Sequence, residues 1–137
     1  MGLTYASITI QNSEDVADYR RNRIGEDEIR EVTVNAMVDT GSVQMAINEE
    51  IQQALGLEIY DYRPSILANS LRVSLPIVGP IIIKLFDRYS MTSAIVRPGD
   101  SEPLLGAIPL EEMDLYVHPA RNVILPIHPE GQLMSLK

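Results

Sequence analysis

The stretch Ala36–Ile47, AMVDTGSVQMAI, decides how the rest of the chain is read. An apolar run ends on a carboxylate, Asp39, with Thr40, Gly41 and Ser42 directly behind it. Chains rarely finish a buried strand on an acid without a reason, and two reasons compete here. Asp-x-Gly strings favour turns, because the Asp side chain bonds to nearby backbone and Gly accepts positive φ. The other reason is chemical: Asp39 is one half of a catalytic pair. The tripeptide alone is a weak signal, so its surroundings have to decide.

Immediately upstream, Ile29 to Val38 alternates, with Val32, Val34, Ala36 and Val38 on one face. This predicts a strand that delivers Asp39 at its end. Leu3 to Gln11 alternates in the same way around Ala6, Ile8 and Ile10. Between them, NSEDVADYRRNRIGEDE is polar and reads as a connection with room for a helical turn. Downstream, NEEIQQALGL reads as a short helix: Asn48 can cap it, Glu49 and Glu50 suit its positive end, and Gly56 suits its stop. Further strands are expected at Leu71–Leu75, Ile77–Phe86 and Met91–Val96, then a loop, RPGDSEP. LLGAIPLEEM follows, with Pro109 placed for the first turn of a second short helix. Leu115–His118 and Asn122–Pro126 read as short closing strands. Ile81, Ile82 and Ile83 predict a strand buried on both faces. No repeat or linker divides residues 1–137, so one domain, mainly β and closed or sandwich-like, is expected.

Composition narrows the function classes. The 137 residues are 45% hydrophobic and 22% charged, ordinary for one globular core. The net charge of −8 argues against a nucleic-acid partner, which would need a basic face. The one basic cluster, Arg20, Arg21 and Arg23, reads as a solvated loop face. With no cysteine there is no disulfide, thiol chemistry or cysteine metal site. LPIVGPIIIKLF is too short for a membrane span and is broken by Gly79, Pro80 and Lys84. The opening MGLTYASITI lacks a basic leader region and reads as a strand. The expectation is a cytoplasmic protein without a membrane partner.

A strand, then VDTGS, then a long β stretch, then PLLGAIPLEEMDL resembles the retroviral-type (retropepsin-like) aspartic protease family, in particular its small bacterial members. The resemblance runs from about Thr33 to Val117. It implies a retropepsin-like closed β barrel with one or two short helices, and an aspartic endopeptidase without metal or organic cofactor. By the same resemblance Asp39 is the catalytic carboxylate, and Gly106 supports the loop from beneath. Amide hydrolysis needs an activated water and a proton for the leaving nitrogen, which a carboxylate and a carboxylic acid can supply together. Two such groups about 3 Å apart share a proton rather than both ionising. DTG occurs once here, and Asp100-Ser101 is followed by Glu102. The implied partner is therefore Asp39 of a second copy, in a homodimer that cleaves a peptide or protein substrate.

The resemblance also assigns supporting roles. Thr40 reaches across the two-fold axis, and Gly41 lets the backbone approach and orients the carboxylate with its N–H. Ser42 is either a donor to the carboxylate or an ordinary turn residue. A hairpin flap over the substrate is expected at about Arg63 to Pro76, with Ala68, Asn69 and Ser70 near its tip. Val43 and Ala107 stand where viral relatives carry an acid and an arginine that pair. The expectation is that they lie in apolar surroundings near the base of the loop, and that the subunits adhere through terminal strands, Leu3–Ile10 and Asn122–Ile127. His118 and His128 read as structural or surface residues. Glu111, Glu112 and Asp114 read as the acidic start of a helix.

Overall fold

The computed structural model describes residues 2–134 and 136. β1 (Tyr5–Asn12) and β2 (Glu31–Val38) form an antiparallel pair in which Ala6 faces Ala36, Ile8 faces Val34 and Ile10 faces Val32. The alternation seen in the sequence therefore puts one apolar face inward, with Ile8 and Ile10 fully buried. The polar connection is more ordered than expected: Ser13–Arg20 is a helix, α1. Its signal was Asn12, whose side chain accepts from Glu14 N (2.9 Å) and Asp15 N (3.1 Å), with two acids in the first turn. Asn12 also donates to Leu55 O at 2.8 Å, so one buried amide ties this connection to the next helix.

That helix, α2 (Glu49–Leu55), follows β3 (Met45–Asn48) and has the expected caps. Asn48 accepts from Ile51 N at 2.8 Å, and Gly56 adopts a left-handed φ of 62° at the stop. β4 (Ile59–Ile66) and β5 (Arg72–Leu85) make a hairpin, and β6 (Arg88–Arg97) returns antiparallel to β5. The chain closes with β7 (Leu104–Leu105), α3 (Ala107–Glu112), β8 (Leu115–His118) and β9 (Val123–Pro126).

The main sheet has seven strands in the order β1-β2-β7-β3-β6-β5-β4. The closed barrel expected from the sequence is not formed. The sheet coils until Thr9–Asn12 meet Ile81–Lys84 of β5, but the earlier half of β5 departs to pair with β4, which is left as an open edge. The departure happens at a register shift between Val78 and Ile81, where Gly79 holds a φ of 124° that other residues avoid. β8 and β9 stand apart as a two-stranded sheet, and among the described residues three α-helices form rather than one or two. Ile81, Ile82 and Ile83 are buried on both faces, as their run predicted. They join Ile8, Ile10, Met45, Ile47, Leu55 and Leu105 in one core. Among the described residues no helix is long and apolar enough to cross a membrane.

Candidate active site

β2 carries Asp39 to one end of the sheet, and the backbone there is fully committed. Met37 N donates to Pro103 O (3.0 Å), Val38 N to Thr4 O (2.8 Å) and Asp39 N to Leu105 O (3.0 Å). The chain then turns, with Ser42 N donating to Asp39 O at 3.0 Å. Inside that turn Gly41 N donates to the Asp39 carboxylate, Oδ1, at 3.0 Å. A Cβ on Gly41 would stand 3.2 Å from that oxygen, so the missing side chain is what lets the amide come so close. The turn reading and the poised-carboxylate reading are thus compatible: one set of bonds makes the turn and fixes the acid.

The loop is held from the other side by β7. Its two residues run parallel to the end of β2, with Met37 beside Leu104 and Val38 beside Leu105, and antiparallel to β3 at Ala46. Gly106 comes next, pressed against the loop backbone: a Cβ there would lie 2.2 Å from Gln44 O and 2.7 Å from Ser42 O. α3 has no side-chain cap. Its first free amides find the loop instead, Ala107 N donating to Ser42 O (2.8 Å) and Ile108 N to Val43 O (2.9 Å). The orphan donors that every helix start must satisfy are therefore the clamps on the Asp39 loop.

The remaining sequence-predicted residues are placed as follows. Thr40 is exposed, and Ser42 Oγ faces Gln44 O at 3.5 Å, the outer limit of a hydrogen bond. Val43 is 63% exposed and Ile108, beside it in the clamp, 45%, so this chain alone does not provide Val43 with apolar surroundings. Ala68, Asn69 and Ser70 form the tip of the β4–β5 hairpin. Leu67 N bonds to Leu71 O (2.9 Å), Leu71 N to Asn69 Oδ1 (3.0 Å), and Ser70 takes a φ of 66°. Of the two terminal stretches, Leu3–Ile10 has Tyr5–Ile10 paired with β2 and Thr9 and Ile10 paired with β5 as well, whereas among the described residues β9 pairs with β8 alone.

Glu111 and Glu112 fall in the last turn of α3 and Asp114 beyond it, so they are not the acidic start of a helix. Asp114 is buried against Arg88 and His128 instead, a cluster that sequence reasoning missed. Its members come from three separate parts of the chain, the start of β6, the turn before β8 and the segment after β9, and no local spacing joins them. His118 accepts from Arg121 N at 3.2 Å. Among the described residues, no group of three or more His, Asp or Glu is arranged to hold a metal ion. A cavity of about 850 Å³ between α1 and β1, β2 and β5 contains no residue of the Asp39 loop.

A coiled β sheet with a D-T-G loop clamped by a two-residue strand and a short helix defines the class of fold. The chain is similar to the crystal structure of the retroviral protease-like domain of Ddi1 from Leishmania major, with 16% identity over 92% of this chain and 89% of that one, at a TM-score of 0.55. At that identity the likeness is one of fold, a retroviral protease-like fold. No family model matches the chain, and no curated protein matches it.

Proposed function

We propose that two copies of this chain form an aspartic endopeptidase akin to the small bacterial retropepsin-like enzymes, acting in the cytoplasm. The observation that carries this reading is the Asp39 carboxylate held by Gly41 N–H at 3.0 Å in a loop clamped from beneath. In the proposed dimer one Asp39 is ionised and takes a proton from water as that water attacks the peptide carbonyl. The other, protonated, bonds to the carbonyl oxygen, and a proton then passes to the leaving nitrogen as the C–N bond breaks. The two carboxyl groups titrate as a pair. Thr40 contacts the partner loop, and Ser42 and Gly106 keep each loop in shape. The exposed Val43 and Ile108 give a second copy an apolar surface beside the loop. An extended peptide lies under the β4–β5 hairpin with Ala68, Asn69 and Ser70 at its tip, its backbone giving affinity and its side chains selectivity.

A second reading is a non-catalytic dimeric module that keeps the fold and holds a peptide or partner. It is favoured by a likeness that extends to fold alone. One experiment separates the two. Purified protein is given a peptide library from acidic to neutral pH, alongside Asp39→Asn, with mass measured by sedimentation. The endopeptidase reading expects cleavage that chelators leave intact and that Asp39→Asn abolishes while the dimer persists. Peptide binding without cleavage at every pH establishes the module instead.

A further inference from the structure

On β1, Thr9 and Gln11 alternate with the buried Ile8 and Ile10 and so occupy the outer face of the sheet. Gln11 lies opposite Glu31 of β2, and Thr9 opposite Lys84 of β5. Paired residues share a face, so Glu31 and Lys84 flank Gln11, one directly beside it and one diagonally. Over this face arches the segment that runs from α1 through a single helical turn at Glu26–Glu28 to Arg30. The arch is pinned twice. At its foot Arg30 grips the Asp15 carboxylate through Nε (2.8 Å), Nη2 (3.0 Å) and its backbone N–H (3.0 Å). At its crown the Tyr19 hydroxyl donates to Glu26 Oε2 at 3.1 Å. The cavity of about 850 Å³ lies between arch and sheet, and the pinning keeps it open without a ligand to shape it. Sites for small ligands run from about 300 to 1,000 Å³.

The lining states what it would hold. Gln11 is 7% exposed, and its amide is half used: Nε2 donates to Glu31 Oε1 at 2.8 Å, while Oε1 has no hydrogen-bond partner among the described residues. A buried amide oxygen at a cavity wall asks for a donor. The charges are sorted by element. The acids, Glu31, Glu26 and Asp27, come from β2 and the Glu26–Glu28 turn. The bases, Arg20 and Lys84, come from α1 and β5, which pack against each other. Neither base makes an ion pair among the described residues. Between the two sets lie the half-buried Val16 and Ile29. A phosphate would meet three acids here and a polyamine two bases, whereas a ligand charged oppositely at its two ends suits both walls. Glu31 and Lys84 stand on strands separated by β1, two strand spacings or about 9–10 Å apart. An amino acid, with both charges on one carbon, cannot bridge that gap; an extended peptide of about three residues can, at about 3.3–3.6 Å per residue.

We propose that this cavity binds a short apolar peptide with free ends, its ammonium at Gln11 Oε1 and Glu31 and its carboxylate at Lys84 and Arg20. The site shares no residue with the Asp39 loop and stands whether or not Asp39 is catalytic. The test is a titration of the isotope-labelled full chain with the tripeptide Leu-Ala-Leu, followed by NMR at the Gln11 side-chain amide and the Val16 and Ile29 backbone amides. Saturable shifts at all three are expected. N-acetylated and C-amidated forms of the peptide are each expected to bind about tenfold more weakly, having lost one charge-assisted contact. Lys84 is exposed, so Lys84→Met keeps the fold; it is expected to lose most of the preference for the free carboxylate while retaining that for the free ammonium. Glu31→Gln is expected to do the reverse. The proposal is overturned by an absence of saturable shifts at millimolar peptide, by shifts confined to the Asp39 loop, by equal binding of the three peptides, or by variants whose preferences match the wild type.

Discussion

Gly106→Ala isolates the contact on which the Asp39 loop rests. The residue has an ordinary φ of −85°, so alanine is not excluded by backbone conformation, and any penalty arises from space. The added methyl carbon would lie 2.2 Å from Gln44 O, 2.7 Å from Ser42 O and 2.8 Å from Gln44 C. All three atoms are backbone, so no side chain can swing aside. Relief requires α3 and the loop to separate, which breaks or stretches Ala107 N–Ser42 O and Ile108 N–Val43 O. Two such bonds contribute about 1 kcal/mol each, and overpacking in a tight site adds about 1–3 kcal/mol. The expected loss is about 3–5 kcal/mol, read as a lower urea midpoint at unchanged m-value. Gly131→Ala is the control: nothing lies within 4 Å of its added carbon, so its change stays within about 0.5 kcal/mol. A Gly106→Ala protein that loses under about 1 kcal/mol, with the amide signals of Gly41 and Ser42 unmoved, would refute the clamp.

Asn48→Ala should cost about 1–2 kcal/mol in a urea melt, because it removes both the α2 cap to Ile51 N and the donor to Ser101 O. Leu105→Ala, at a fully buried site in β7, should cost about 2–5 kcal/mol by leaving a cavity under the loop, also read by urea melt. Asp15→Asn tests pH dependence. The Arg30 side chain, bonding through Nε and Nη2, holds the Asp15 carboxyl below its ordinary 3.8 against the opposing effect of burial. A depressed folded pKa stabilises fully above the unfolded value and is lost as pH falls through the folded one. Asp15→Asn should therefore be less stable than wild type at neutral pH, with the gap closing below about pH 3.8; a gap that is constant with pH contradicts this.

The local elements were readable because their signals span only a few residues. Alternation in Leu3–Gln11 and Ile29–Val38 gave strands β1 and β2, whose pairing the structure supplied, and Asn48 and Gly56 gave both ends of α2. Asn12 carried an equally local signal for α1, but the polar run after it hid the helix, which has no apolar stripe to reveal it. Glu111, Glu112 and Asp114 misled for the opposite reason: the acids suit a helix start, yet α3 had already begun at Ala107, capped by distant carbonyls.

By itself, then, the sequence determined the alternating strands, both caps of α2 and the turn that sets Asp39 after β2, whereas β3, β4 and β7 were not legible in it. Periodicity and φ preferences act between near neighbours, and those are written along the chain. Tertiary structure alone decided that β5 divides its partners between β1 and β4 and leaves an open edge where a closed barrel was expected. It also decided the atomic contact that makes Gly106 intolerant of a side chain, and the union of Arg88, Asp114 and His128. These depend on where residues far apart in sequence come to rest, because steric contact and charge pairing act through space and leave no local period to read.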